Sequence, residues 1–281
     1  MNNSLVTIAI PIYNAGKYLD YAICSCINQT YTNWELLLMC DGSTDNSLQI
    51  AESYAVKDAR ITIVNDGTNK GLVYRLNQSV QLAKGKYYAR MDADDIMCAN
   101  RIEEQVAFLE RHLDVDVVGS SAMLIDSQNH IIGSMFKENG SFFAHPSVMG
   151  RLEWFKDNPY NEEFIRMEDS DLWRRTSVPF VNIGKPLLFY RVDENNTIKK
   201  MLVSYRTKRK MGLRYRRYNK NVLWGMKVYW EAVLKALISV VADSLGRYDS
   251  LLKKRKYIEV PSNDLLTEEE LCLAILKPSL L

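Results

Sequence analysis

An α/β fold with a mostly parallel central sheet flanked by helices is predicted by three observations. Short apolar, β-branched runs alternate with segments whose apolar residues recur at helical spacing. The connections between them are short, and a polar cluster follows the end of each of three strand-like runs. The 281 residues are 47% hydrophobic and 25% charged, a balance that permits a buried core and excludes wholesale disorder.

Val6 to Tyr13 reads as the first strand and passes into loop at Pro11-Ile12-Tyr13-Asn14. Tyr18, Leu19, Ala22, Ile23, Cys26 and Ile27 then predict a helix. Trp34 to Cys40 reads as a second strand, followed by Asp41-Gly42-Ser43-Thr44-Asp45 and a helix to about Lys57, with Ser43 or Thr44 suited to cap it. Arg60 to Asn65 predicts a third strand and Leu72 to Ala83 a third helix. Tyr87 to Met91 runs into Asp92-Ala93-Asp94-Asp95, after which Asn100 and Glu103 form a capping-box-like helix start. From Val115 to about Tyr190 short strands mix with one helix, Glu168 to Thr176. Ligands of parallel sheets bind beyond the carboxyl ends of the strands, so the three polar clusters are expected to converge at one rim.

After Arg191 the character changes. Ten Lys or Arg and no acidic residue lie between Lys199 and Lys220, which against a chain total of +2 leaves −8 on the remainder. Val222 to Leu245 is largely apolar but interrupted by Lys227, Glu231, Lys235 and Asp243. Each charge costs about 2.5–3.5 kcal/mol near a membrane centre, which argues against spanning. An in-plane amphipathic helix fits better, with Trp224 and Trp230 at the interface and anionic lipid attracted by the basic runs Lys199 to Lys220 and Lys253 to Lys256. Packing on the preceding domain is the other reading. The acidic front argues against nucleic acid. Thr267 to Leu276 predicts a short terminal helix, Thr267 its cap and Glu270 the box partner. Cys24, Cys26, Cys40, Cys98 and Cys272 include no C-x-x-C pair, and no signal-peptide pattern opens the chain. Both facts predict a reduced cytoplasmic setting, with Cys24 and Cys26 as buried filler.

Asp92, Asp94 and Asp95 place three carboxylates at a strand end. Their repulsion is relieved by a hard divalent ion, Mn2+ or Mg2+; a solvated acidic turn is the competing reading. Asp41 suits either a turn or acceptance of a base imide N–H. Glu168 and Asp169 either complement a helix dipole or supply a general base. His145, before Pro146, is a loop residue or a ligand contact. A phosphoryl-transfer enzyme is disfavoured, since no Gly-rich phosphate loop with its lysine is present.

Pro11-Ile12-Tyr13-Asn14, Tyr18-Leu19, Ser25, Gln29-Thr30, Glu35 and Asp41-Gly42-Ser43-Thr44-Asp45-Asn46-Ser47 open an ordered series. Asn69-Lys70-Gly71, Asn77, Ala83-Lys84-Gly85, Asp92-Ala93-Asp94-Asp95 and Arg101 continue it, and His145-Pro146-Ser147-Val148-Met149, Glu168-Asp169 and Leu172-Trp173-Arg174-Arg175 complete it. Over about residues 4 to 191 this series resembles the family-two inverting glycosyltransferases of GT-A fold. The resemblance implies a Rossmann-like GT-A catalytic domain over residues 1–195, its donor half about 1–126 and its acceptor half about 127–195. A basic, amphipathic helical region over 196–281 would follow.

By the same resemblance, Pro11 and Tyr13 line the base, Asp41 bonds its imide, and Asp92 contacts the ribose. Asp94, or alternatively Asp95, holds the metal, and Asp169, or alternatively Glu168, is the catalytic base. Cys40 stands where an acidic residue is often found, and Leu76 where an arginine often precedes the Asn77 position. The adjacent Arg75, with His145, is carried over only as a diphosphate or acceptor contact. The implied activity is metal-dependent, inverting transfer from a nucleotide-sugar donor, UDP-linked by the base site, to a saccharide hydroxyl. A lipid-linked acceptor in cell-surface polysaccharide synthesis would place the protein peripherally on the inner membrane face. The competing classes are a non-catalytic nucleotide-sugar-binding protein and a receiver-like signalling domain. The complete carboxylate set disfavours the former, and the Glu168-Asp169 motif the latter.

Overall fold

β1 (Val6–Ile12), β2 (Trp34–Cys40), β3 (Ile61–Asn65) and β4 (Tyr87–Arg90) pair in parallel in the order β3-β2-β1-β4. Near-continuous burial along β1, β2 and β4 is what a sheet covered on both faces demands. Ile8, Ile10, Ile12, Leu36 and Leu38 share one core with Leu19, Ala22, Ile23 and Cys26 of α1 (Leu19–Ile27), whose i, i+3, i+4, i+7 spacing makes one apolar stripe. α2 (Ser47–Ala55) and α3 (Leu72–Leu82) complete the crossovers. These coordinates are a computed structural model describing residues 3–135, 144–176, 181–192, 198–218, 222–247 and 267–275.

Past β4 the sheet becomes mixed. β8 (Met149–Arg151) runs antiparallel to β4 and to β6 (Val117–Ile125), while β9 (Val181–Arg191) is parallel to β6. Two short strands complete it antiparallel, β5 (Ile96–Met97) on β9 and β7 (Ile131–Met135) on β6. α4 (Arg101–Arg111) and α5 (Leu152–Asp157) pack on this part.

Two of the three predicted helix caps take different partners. The Asn100 side chain makes no cap bond, and Glu103 instead accepts from the Thr30 hydroxyl at 2.7 Å. At α2, Asp45 accepts the Ser47 N–H at 3.0 Å, because Ser43 and Thr44 are bonded to Asn14. The box at α9 (Glu268–Ile275) forms as expected, with Glu270 accepting the Thr267 N–H at 2.7 Å.

Two compact units divide the chain. The first takes Met1–Pro159, Val178–Val192 and Ile258–Leu281, and the second Tyr160–Ser177 and Asp193–Tyr257. These compact units cut across the expected division at 195/196. α6 (Glu168–Thr176) groups with α7 (Ile198–Tyr218) and α8 (Val222–Ser244), because Phe164 and Met211 bury together against Met167 and Trp224. Thr207 also donates to the Ile165 carbonyl at 2.9 Å. α9 belongs to the first unit, where Leu271 and Ala274 bury against Ile96, Cys98, Ile125 and Phe189. The second basic cluster, Lys253 to Lys256, lies outside the described residues.

Among the described residues no helix is long and apolar enough to cross a membrane. Cys24, Cys26, Cys40 and Cys98 are buried free thiols and Cys272 is exposed; burial pushes Cys26 up to about 12. In the second unit α7 and α8 approach closely: a Cβ on Gly212 would lie 2.8 Å from the Gly225 carbonyl oxygen. Gly212→Val should therefore separate the helices and cost about 1–3 kcal/mol, read as a lowered thermal midpoint. An unchanged midpoint would show that the pair tolerates a wider spacing.

Candidate active site

Parallel pairing brings the carboxyl ends of β1, β2 and β4 to one rim. Side chains then stitch the loops there. Asn14, at φ 50°, donates its N–H to Ser43 Oγ at 3.0 Å and accepts the Thr44 N–H at 2.8 Å. Ala15 and Gly16 donate to Ser47 Oγ and Asp45 Oδ2 at 2.9 and 2.8 Å. The Tyr13 ring stands 54% exposed beside the part-buried Pro11.

Asp41 is buried and joins the second loop to the third. Its Oδ1 accepts the Lys70 N–H at 2.8 Å and Arg75 Nε at 2.9 Å, and its Oδ2 accepts the Gly71 N–H at 3.0 Å. A carboxylate oxygen accepts two bonds, so Oδ2 keeps an acceptor position of the kind a base imide requires. Gly42 is demanded by the same approach: its φ is +68°, and a Cβ would sit 2.8 Å from the Thr68–Asn69 backbone. Arg75 anchors this carboxylate from within the fold. It is fully buried, and beyond Asp41 it donates to Asp66, Gln78 and the Thr68 carbonyl. A guanidinium so engaged holds Asp41 in place.

At the end of β4, one carboxylate oxygen from each of Asp92, Asp94 and Asp95 lies within 4.8 Å of the others. Asp92 pairs with the buried Arg90. Asp95 is 1% exposed; Oδ1 accepts the Arg191 N–H at 2.8 Å, and buried Oδ2 has no hydrogen-bond partner among the described residues. Burial, then the Asp94 and Asp92 charges, push its carboxyl well above the usual range. An orphaned buried oxygen in an all-carboxylate set fits a hard divalent cation. Arg191 Nε also donates to the Asp94 carbonyl at 2.8 Å, and burial plus the three carboxylates push Tyr190 up. Burial and the charge of Arg90 push the His145 imidazolium well down, so the ring is neutral at pH 7.

Arg90, Arg191 and Tyr190 escape a reading by motif. Arg90 stands two residues before Asp92, and the other two end β9. Glu168 and Asp169 open α6 in the second unit; Glu168 is buried, whereas Asp169 is part-exposed and accepts the Ser170 N–H at 2.6 Å.

The sequence profile of "Glycosyl transferase family 2" matches residues 7–167. The chain belongs to this family. The EpsE sequence of Bacillus subtilis (strain 168), named as a glycosyltransferase, is 37% identical over 182 residues, 60% of this chain and 66% of that one. This chain therefore spans about two thirds of that relative's length. The Escherichia coli UDP-Glc:alpha-D-GlcNAc-diphosphoundecaprenol beta-1,3-glucosyltransferase WfgD is 28% identical over 208 residues, 70% of this chain and 80% of that one. Among solved structures, S. aureus TarS 1-349 with UDP-GlcNAc superposes at TM-score 0.63 with 20% identity, covering 81% of this chain and 71% of TarS. The Pyrobaculum calidifontis mannosyltransferase PcManGT, with GDP-Man and Mn2+, superposes at 0.62 with 14% identity, covering 96% and 86%. The fold is GT-A, and the family-2 chain is a glycosyltransferase.

Arg75→Met should strand Asp41 without its cation, costing about 3–5 kcal/mol and lowering the urea midpoint. A direct diphosphate role would instead weaken nucleotide binding and leave the midpoint unchanged. Arg75 first, then Lys70, hold the Asp66 carboxyl well below the usual range. Stability from a depressed carboxylate is present above its unfolded pKa and lost as pH falls toward the folded value. The gap between wild type and Arg75→Met should therefore be constant from about pH 7 to 5 and narrow below about pH 4.

Proposed function

We propose that the chain is an inverting, metal-dependent transferase that moves a sugar from a UDP-linked donor to a hydroxyl of a lipid-linked saccharide in cell-surface polysaccharide synthesis. The observation that carries this reading is the Asp92–Asp94–Asp95 cluster on the same rim as Asp41 and Tyr13. TarS is solved with UDP-GlcNAc, WfgD is named for a diphosphoundecaprenol-linked acceptor, and PcManGT is solved with Mn2+; each supports one part of it.

Tyr13 stacks on the base beside Pro11, Asp41 Oδ2 accepts its imide proton, and Asp92 bonds the ribose. Asp94, with Asp95 as the alternative ligand, would hold Mn2+ or Mg2+. When bound, the ion stabilises the negative charge gained by the departing nucleoside diphosphate. Asp169 takes the proton from the acceptor hydroxyl as its oxygen attacks the anomeric carbon from the face opposite the leaving group. One displacement inverts the configuration, and no covalent enzyme intermediate forms. The part-exposure of Asp169 favours it over the buried Glu168. His145, neutral near Arg90, suits an acceptor or diphosphate contact as a hydrogen-bonding group.

Placement on an anionic inner membrane face is supported by α8, where Leu223 (82%), Trp230 (61%), Leu234 and Leu237 are exposed, and by the many basic residues of α7. The full chain should float with vesicles containing anionic lipid at low salt and release them at high salt. Trp230→Glu with Leu234→Glu should abolish flotation. If wild type never floats, membrane attachment through α8 is wrong.

Release of nucleoside diphosphate from sugar nucleotides with Mn2+ tests the chemistry. Asp94→Asn should lower the metal-dependent rate at a cost of at least about 2 kcal/mol. Asp169→Asn should lower it by roughly 10^2 or more while donor binding survives. Full activity in chelator, or an inactive Glu168→Gln beside an active Asp169→Asn, would reassign the metal or the base.

A further inference from the structure

Within the second unit, α6, α7 and α8 line an open cavity of about 330 Å3. Its lining includes the apolar side chains of Met167, Met211, Trp224 and Val228. The same lining carries Arg174, Lys208 and Lys227 against a single carboxylate, Glu231. That carboxylate is already matched: Lys235 and Lys208 donate to it at 2.6 and 3.2 Å and hold it below the usual range. Arg174 lies over the Trp224 ring, 4.4 Å from its centroid. The cavity therefore keeps surplus positive charge together with apolar side chains, the pairing that selects an anion carried on a hydrocarbon stem.

Two features give that stem a direction and its cargo a purpose. Lys227 lines the cavity and also belongs to the exposed face of α8, since Leu223, Trp230 and Leu234 stand four before, three after and seven after it. Those three are exposed and share with Lys227 one face of α8. The cavity is also lined by Ser170, the residue after Asp169 in the first turn of α6.

We infer that this cavity binds the phosphate or diphosphate end of a long-chain lipid phosphate, with the chain along that face of α8. Arg174 and Lys227 bond the phosphate oxygens, and the saccharide esterified to that phosphate is delivered to the turn bearing Asp169. The delivery step rests on the acceptor reading above; the lipid-phosphate site does not.

The test is calorimetric titration of the full chain with farnesyl diphosphate, below its micellar concentration and in EDTA, so that diphosphate binding at the metal-dependent rim is suppressed. Inorganic diphosphate and farnesol are the two other arms. Farnesyl diphosphate should bind at least about tenfold tighter than either, and excess UDP should not displace it. Arg174→Gln with Lys227→Gln should weaken it by at least about tenfold, and Arg174→Lys with Lys227→Arg should restore most of the affinity. Both side chains are exposed, and far-UV circular dichroism checks that the variants fold. Equal affinity for inorganic diphosphate would reduce the cavity to a free-anion site, and equal affinity for farnesol to an apolar one. Unchanged affinity in the neutral variant would remove the two cations from it. Each of these overturns the inference while leaving the transferase reading intact. Failure of the wild type to release nucleoside diphosphate from any donor would overturn the delivery step and leave the titration standing.

Discussion

Three carboxylates with oxygens within 4.8 Å of one another repel by a few kcal/mol per pair at an effective dielectric of about 20, and the first unit is arranged to hold them. Buried arginines do most of this. Arg90 pairs with Asp92, and Arg101 braces that strand end by donating to the Arg90 carbonyl at 2.9 Å. Burial brings Arg101 itself down to about 10. Arg191 arrives from β9 because the β5–β9 register, Ile96 on Phe189, sets the end of β9 against Asp95 and Asp94. A strand of two residues thus fixes the geometry of the acidic cluster.

The base side of the rim follows the same logic at a second carboxylate. Asp41 is held by two backbone N–H groups and Arg75, with the guanidinium shared with Asp66. Ion pairs this buried contribute little net stability against their desolvation, yet they hold a side chain in one place. The loops after β1, β2 and β3 are tied to one another through Asn14, Asp45 and Asp41, so a ligand meets a rim already ordered.

Local pattern made the parallel half legible: strand ends, crossover helices and the three acidic clusters follow from periodicity and turn residues close in sequence. The α6 and α9 helices were legible for the same reason. Non-local pairing was not. Ile96–Met97 is too short to carry a strand pattern, and β9 pairs across nearly a hundred residues. Glu103 was readable as a cap partner only until Thr30 reached it from another loop. Arg75 shows the limit most plainly, since nothing in its motif neighbourhood announces the partners Asp41, Asp66 and Thr68 among which it is buried. The grouping of α6 with α7 and α8 depends on Phe164, Met167, Met211 and Trp224, which are scattered along sixty residues and show no boundary in composition.

The central claim is that the rim binds a nucleoside diphosphate through a divalent ion held by the β4 carboxylates. Calorimetric titration of the wild-type chain with UDP, in Mn2+ and again in EDTA, tests it most directly. The account predicts stoichiometric binding in Mn2+ and at least about tenfold weaker binding in chelator, because the diphosphate charge then meets the three carboxylates uncompensated. Equal affinity in both conditions would contradict it.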